Sequence, residues 1–313
     1  MQPLLFKKKS LLVKLESIYD TDPTPDGSNV IVTKGLTINP YEGNTVTRDI
    51  DREALGNDAE INTAPYVTVS FDVELAGSGA AGTAPGYGPL LRACGFSETI
   101  TADTDVVYQP VSSDFESVSI YFQQSGQLHK VTGSRGTVKF SLAKGALPAM
   151  SFTFTGLWHA PITQPAPEGL DTSGFKMPVP VNKANTVMTI GGYAAHTETI
   201  DIDIANNVVF RDVINSQSVI ITDRAPAGSL VIEAPDLATK DFFAAASSHD
   251  GVTFYSLAAT HGKTPGNIVE IGGQKVQLSG ISMGDSDGLL TYTMNTRLIP
   301  TDAGDDEFLL TVK

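Results

Sequence analysis

Only one cysteine, Cys94, occurs in 313 residues. No internal disulfide can form, and no cysteine cluster can hold zinc. Histidine is nearly as scarce. His129, His159, His196, His249 and His261 are scattered, without the short spacing that puts two ligands on one metal. Tryptophan occurs once, at Trp158, which is a poor start for the exposed aromatic platform of a carbohydrate-binding or adhesive module. No apolar run approaches the roughly 18 residues a membrane-spanning helix needs. Lys7, Lys8 and Lys9 are not followed by a long apolar stretch, so no signal peptide is expected. Basic residues are in deficit, with 21 Lys+Arg against 35 Asp+Glu and a net charge of −14. That argues against a tight grip on a nucleic-acid backbone, which needs clustered Lys and Arg to neutralise phosphates. A negative surface can still face nucleic acid without holding it.

What the chain has in quantity is the grammar of antiparallel sheet. Its 29 Gly and 18 Pro punctuate short alternating runs rich in Thr, Val and Ser. The cleanest runs from Tyr66 to Leu75, with Val67, Val69, Phe71, Val73 and Leu75 on one face and Thr68, Ser70, Asp72 and Glu74 on the other. Other strands are expected at 30–38, 106–109, 117–123, 126–131, 137–142 and 150–157, then at 197–204, 208–213, 218–222, 229–233, 252–257, 267–271, 274–279 and 289–296. Gly77 to Gly86 reads as loop, followed by a short helix over 87–95 that Gly95 stops. A second short helix is expected over Leu237–Ala246, capped by Asp236.

The expected organisation is an N-terminal arm (1–28), a first β domain (29–160), a proline-rich linker (161–183) and a second β domain (184–313). Residues 39–65 are too polar to form a core and read as a long loop, exposed or in contact with another subunit. The two halves repeat one another. Val118-Ser119-Ile120-Tyr121, Val138 and Phe154 are matched by Val252-Thr253-Phe254-Tyr255, Val276 and Tyr292, the last two at a common offset of 276 − 138 = 292 − 154 = 138, with a helix before each block.

The search for chemistry finds little. No serine sits in a strand–elbow–helix setting, and Gly126, Gly133, Gly136 and Gly272-Gly273-Gln274-Lys275 lack phosphate-loop spacing. Asp285, Asp287 and Gly288 imitate part of a calcium loop, but Leu289 and Leu290 start a strand where further ligands belong, so the run reads as a hairpin turn. Asp302, Asp305, Asp306 and Glu307 are expected to solvate a terminal turn, Cys94 to be a buried small hydrophobe, and Trp158 to pack at a domain edge. No catalytic residue, metal ligand or cofactor is expected.

Two stretches carry a likeness to a known family. Leu36-Thr37-Ile38-Asn39-Pro40-Tyr41-Glu42-Gly43-Asn44-Thr45-Val46-Thr47-Arg48 leads into the strand at 67–75, and Tyr87-Gly88-Pro89-Leu90-Leu91-Arg92-Ala93-Cys94-Gly95 follows. In this β context they resemble the major tail tube proteins of long-tailed, non-contractile bacteriophages, most closely over residues 11–160. The resemblance implies a mostly β chain with two tandem tail-tube-like β-sandwich or β-barrel domains, each with a short flanking helix. It implies rings that stack into a hollow conduit for double-stranded DNA. Two tube domains in each of three chains would give a pseudo-sixfold ring, with six chains as the alternative. Implied partners are tape-measure, tail-terminator and baseplate proteins, and the implied location is the virion tail, assembled in the host cytoplasm.

Lys7, Lys8, Lys9, Lys14, Glu42, Arg48, Asp49, Arg52 and Glu53 are then the residues expected between rings. The arm is expected to order only on assembly and to be dispensable for folding. Thr68, Ser70, Asp72, Glu74, Ser119, Ser141, Thr153 and Thr155 are expected to face the lumen. The alternatives are a tail-terminator or baseplate-hub ring protein and, further off, an adhesive β module.

Overall fold

The alternation at Val67–Leu75 becomes the centre of the structure, because a strand that hides one face and wets the other needs a neighbour on each edge and a core beneath. The computed structural model describes residues 3–313. In chain order it contains β1 (Lys9–Leu15), β2 (Val30–Ile31), β3 (Lys34–Thr47), β4 (Glu60–Glu74), α1 (Gly88–Ala93), β5 (Phe96–Thr101), β6 (Asp105–Pro110), β7 (Val118–Gln124), β8 (Gln127–Ala143), β9 (Ala149–Trp158) and β10 (Ile162–Thr163). The second half adds β11 (Thr186–Ile190), β12 (Thr197–Asp203), β13 (Asn206–Val213), β14 (Ser216–Arg224), β15 (Ala227–Glu233), α2 (Phe243–Ala246), β16 (Phe254–His261), β17 (Val269–Ser286), β18 (Leu289–Leu298) and β19 (Leu309–Val312). Strands β13 and β14 form a hairpin apart, and the others join one 17-stranded sheet.

The strand pairings follow the same order in both halves. In the first, β3 pairs β4, β4 pairs β9, β9 pairs β8, β8 pairs β7 and β7 pairs β1. In the second, β12 pairs β15, β15 pairs β18, β18 pairs β17, β17 pairs β16 and β16 pairs β11. A bulge interrupts β8 against β9 between Thr132 and Arg135, and another interrupts β17 against β18 between Ser279 and Ser282. Each bulge holds a glycine in the left-handed region, Gly133 at φ 55° and Gly280 at φ 59°.

These bulges correct the residue matching. The β9 to β18 offset is 292 − 154 = 138, as expected, but the β8 to β17 offset is 280 − 133 = 147, so Val276 does not occupy the place of Val138. The two offsets differ by 147 − 138 = 9, and alternation hides that odd shift because the bulge adds one residue to an even slide, so Val276 keeps the buried face without holding the place of Val138.

The expected pair of separate sandwich or barrel domains is not what forms. The edge of β8 beyond β7 is taken by β12, with Ile200 opposite Leu142 and Ile202 opposite Phe140. At a second seam β19 pairs β6. One large apolar cluster therefore runs through both halves, and Phe308 stacks on Phe140 with ring centroids 4.9 Å apart. Nor do the described residues close the sheet into a barrel, since among them β3 pairs only β4, and β17 beyond Gln277 pairs only β18.

Four further expectations change. Of the predicted arm, residues 1 and 2 lie outside the described residues, while Lys9–Leu15 is a core strand between β7 and β2. Leu11, Leu12 and Val13 are buried. The polar stretch 39–65 is mostly the distal part of the β3–β4 hairpin, because paired backbone needs no apolar side chains at an edge. The second helix shrinks to Phe243–Ala246, its first amides held by Asp241 rather than Asp236. Residues 161–183 do not pass freely between two bodies. They lie on the first half through Gln164 N to Gly126 O, Asp171 N to Gly27 O and Gly86 N to Gly174 O.

Burial of β1 yields a prediction opposite to that for a loose arm. Each fully buried aliphatic side chain contributes roughly 1.5–3 kcal/mol, so losing Leu11, Leu12 and Val13 removes an amount comparable to a typical total stability of about 5–15 kcal/mol. Truncation of residues 1–15 is expected to give a protease-sensitive chain without a cooperative thermal transition. A sharp wild-type-like transition would refute it.

Candidate assembly surfaces

The sheet carries one continuous polar face across the strand order β3, β4, β9, β8, β12, β15, β18, β17. Cross-strand registers line up Asn39, Thr68 and Thr155 in one row, and Thr37, Ser70, Thr153 and Thr137 in the next. A third row runs Lys34, Asp72, Ser151, Lys139, Asp203, Ala227, Arg297, Gln277, and a fourth runs Glu74, Ala149, Ser141, Asp201, Ser229, Asn295, Ser279. Small hydroxyl side chains dominate, and Ser70 and Thr153 meet at 3.3 Å. The charges of these rows nearly balance, with Asp72, Glu74, Asp201 and Asp203 against Lys34, Lys139 and Arg297. Lys34 pairs with Glu74, and Lys139 stands 4.0 Å from Asp201.

Of the residues expected to face the lumen, Thr68, Ser70, Asp72, Glu74, Ser141, Thr153 and Thr155 share this face. Ser119 does not. It lies fully buried on β7, where its hydroxyl donates to Glu16 Oε1 at 2.6 Å, beside the Gly133 amide that donates to the same oxygen at 2.8 Å. Alternation showed that Ser119 points away from its apolar neighbours, but not that another layer covers that side.

The two ends of the polar face are bare strand edges, one on β3 and one on β17 beyond Gln277. Apolar side chains cluster near the second. Met283 is 65% exposed and Leu290 51% exposed. Phe152, which matches Leu290 at the offset of 138, is 1% exposed in the first half. There β12 continues the sheet beyond β8, and Ile200 and Ile202 extend the apolar underside next to Leu142 and Phe140. Among the described residues the second half has no such continuation.

The residues expected between rings fall into two groups that the protomer does not bring together. Lys7, Lys8 and Lys9 lie at the start of β1, where the Lys9 ammonium reaches Leu36 O and sits 4.7 Å over the Phe6 ring, with Leu4, Leu5 and Phe6 exposed. Lys14 is half-buried on β1, opposite Ser119. Glu42 lies on β3, and Arg48, Asp49, Arg52 and Glu53 lie in the loop joining β3 to β4, where Arg52 pairs with Asp58. No ion pair among the described residues links the lysines to this loop.

Sequence reasoning missed the clamps that hold the halves together. Arg135 donates to the carbonyls of Phe115 (2.6 Å), Glu116 (3.2 Å) and Val219 (2.8 Å) and lies 5.0 Å over the Tyr19 ring, while the Val219 amide donates to the Tyr19 hydroxyl at 2.7 Å. Arg224 donates to Glu307 (2.5 Å), Asp305 (2.9 Å) and Val111 O (2.8 Å). Partners that are backbone carbonyls or lie some 80 residues away leave no local pattern. The acidic stretch 302–307 therefore does more than solvate a turn. Burial works to raise the Asp305 carboxyl, but hydrogen bonds from Ser112 and Arg224 outweigh it and hold it below the usual range. Asp306 caps Thr301.

Three of the five histidines have polar partners within the protomer. The His261 ring is buried, with one nitrogen 2.8 Å from the Thr186 hydroxyl and the other 3.0 Å from Val179 O. His159 meets Thr132, and His196 meets Glu233. Among the described residues no group of three or more His, Cys, Asp or Glu is placed to hold a metal ion. Asp287 and Gly288, both at positive φ, make the two-residue turn between β17 and β18. Trp158 meets Tyr41 edge to face at 5.6 Å.

Burial pushes the His261 pKa down, against the hydrogen bond to Val179 that raises it. The unfolded chain then binds a proton that the folded one refuses. This contribution to stability is complete above the unfolded value of about 6.5 and falls as pH drops through the window below it. Thermal midpoints are expected to fall between pH 7.5 and 5.5, with a smaller slope in His261→Gln. An equal slope in the variant would refute the assignment.

The model of the phage tail tube protein family matches residues 7–296. The chain belongs to the phage tail tube protein family. A search of curated proteins returns no match. The tube protein is thus a structural, self-assembling component of the virion tail. No helix among its described residues is long and apolar enough to cross a membrane.

Proposed function

We propose that three copies of this tube protein close into a ring, that rings stack into the tail tube of a long-tailed, non-contractile phage, and that double-stranded DNA passes through the bore. Residues 29–160 together with β1, and residues 184–313, act as two copies of one tube domain, as their matching pairing order and paired glycine bulges support. The observation that carries the reading is the open sheet. Within the chain, β12 of the second half completes the edge of β8 in the first. The same join between copies puts β3 of one chain beside the end of β17 in the next, where Ser286 holds the place of Lys139 at 139 + 147 = 286. Open edges are a liability in a monomer, and ring closure removes them.

The polar face then lines the bore. Its hydroxyl rows and near-balanced charges offer no cluster of Lys and Arg to seize phosphates, so the duplex slides. Lys7, Lys8, Lys9 and Lys14 from one side and the acidic 42–53 region from the other suit contacts between stacked rings. Tape-measure, tail-terminator and baseplate proteins are the expected partners, with assembly in the host cytoplasm.

Electron microscopy of the purified protein tests this, with hydrogen exchange on the same sample. Long tubes with three chains per disc, and amides of residues 34–47 and 279–286 that exchange quickly in protomers but slowly in tubes, are the expected result. Single closed rings that never stack would favour a terminator or hub. A persistent monomer at high concentration would end the proposal.

A further inference from the structure

We infer that the paired stem of the distal β3–β4 hairpin, residues 43–47 and 60–64, lies across the bare end of the polar face in the second half of the neighbouring chain of the same ring, leaving the loop 48–59 at its tip for the contacts between rings. The inference rests on the ring proposed above and makes this hairpin a lateral clasp between protomers.

The chain contains its own precedent. Hairpin β13–β14 is inserted between β12 and β15, the place that the distal β3–β4 hairpin holds between the sheet portions of β3 and β4. Strand β12 joins the edge of β8, and its hairpin continues over the first half beside the bulge at Gly133. Val219 and Ile221 are buried there, Phe210 stacks on Tyr66 with centroids 5.0 Å apart, and Asn206 donates to Cys94 O at 2.7 Å and Gly136 O at 3.0 Å. The seat for that hairpin is built from Tyr19, Tyr66 and Arg135.

The second half has the matching bulge at Gly280, which no described residue of its own chain covers. Ser279, Gly280, Ser282 and Asn295 are exposed, as is Arg297, which makes no ion pair with any described residue. The β3–β4 hairpin has what such a seat would take. Val46 and Ile61 are direct cross-strand partners, and both are more than half exposed, at 53% and 55%. Val219 and Phe210, also direct partners, are the corresponding apolar pair on β13–β14, with Val219 buried in its seat. Charge points the same way. Glu60 stands on the stem of the hairpin, and Arg297 awaits a counter-charge.

Photo-crosslinking of assembled full-length protein tests the clasp, with p-benzoylphenylalanine replacing Ile61 and each sample first imaged by electron microscopy. The expected crosslinks join position 61 to residues 277–297 of another chain, and the denaturing-gel ladder stops at three chains, because clasps within a closed ring cannot extend further. Crosslinks mapping elsewhere, or a ladder continuing past three chains in a sample that shows tubes, would overturn the clasp and leave the tube standing. A sample showing neither rings nor tubes would overturn both.

Discussion

Met283→Lys combined with Leu290→Lys is expected to leave the protomer folded and to abolish rings and tubes. Both side chains are more than half exposed in the protomer, at 65% and 51%, and exposed substitutions usually change stability by less than about 0.5 kcal/mol. In the ring they would lie under the β17–β3 joint, as Phe140 and Leu142 lie beside Ile202 and Ile200 at the internal joint. An ammonium group buried there without a partner costs several kcal/mol, and a closed ring repeats that cost at each of its joints. Sedimentation should show monomer at concentrations where the wild type polymerises, with an unchanged thermal transition. Normal tubes from the double variant would show that this edge does not meet another chain.

Arg224→Met should unfold the protein far more readily than the loss of an ordinary surface arginine. The Arg224 side chain is 12% exposed and that of Glu307 4%, and the second Glu307 oxygen has no partner in the protomer. Removing the guanidinium leaves a buried carboxylate uncompensated and also frees Asp305 and Val111 O. Breaking one side of a buried pair typically costs about 3–5 kcal/mol, whereas replacing both sides with apolar residues is often neutral. Urea unfolding should therefore show a loss of that size for Arg224→Met and substantial recovery for Arg224→Met with Glu307→Leu. Equal instability of single and double variants would mean that packing, not the stranded charge, sets the cost. Because Arg224 ends β14 while Glu307 precedes β19, the single variant should also loosen the β13–β14 hairpin from its seat.

Much of the architecture was legible where local rules suffice. Strict alternation placed β4 and assigned its polar face, Gly95 ended α1, and Asp287-Gly288 announced the β17–β18 turn, since each depends on backbone preferences acting over a few residues. The repeated motifs anticipated the shared order of strand pairings in part, with β17 out of register, because alternating patterns tolerate sliding. The separate arm and the long loop failed for different reasons. Leu11-Leu12-Val13 looked short and isolated but gained its partner from β7, more than 100 residues away, whereas residues 39–65 looked too polar but pair largely within their own hairpin, where backbone bonds need no apolar side chains.

Ser119 shows the same limit at the scale of one side chain. Its alternation phase was readable, but the Glu16 carboxylate that covers it is 103 residues away. The sequence by itself determined the β character, the alternating faces, the turns, the shortage of catalytic and metal-binding groups and the likeness to tail tube proteins, all of which follow from composition and short-range order. Only the tertiary structure decided that both halves share one sheet through β8 and β12, that Arg135 and Arg224 clamp them, and which two edges stay open. Those outcomes depend on which distant strands satisfy one another's backbone hydrogen bonds, and no short window of sequence carries that choice.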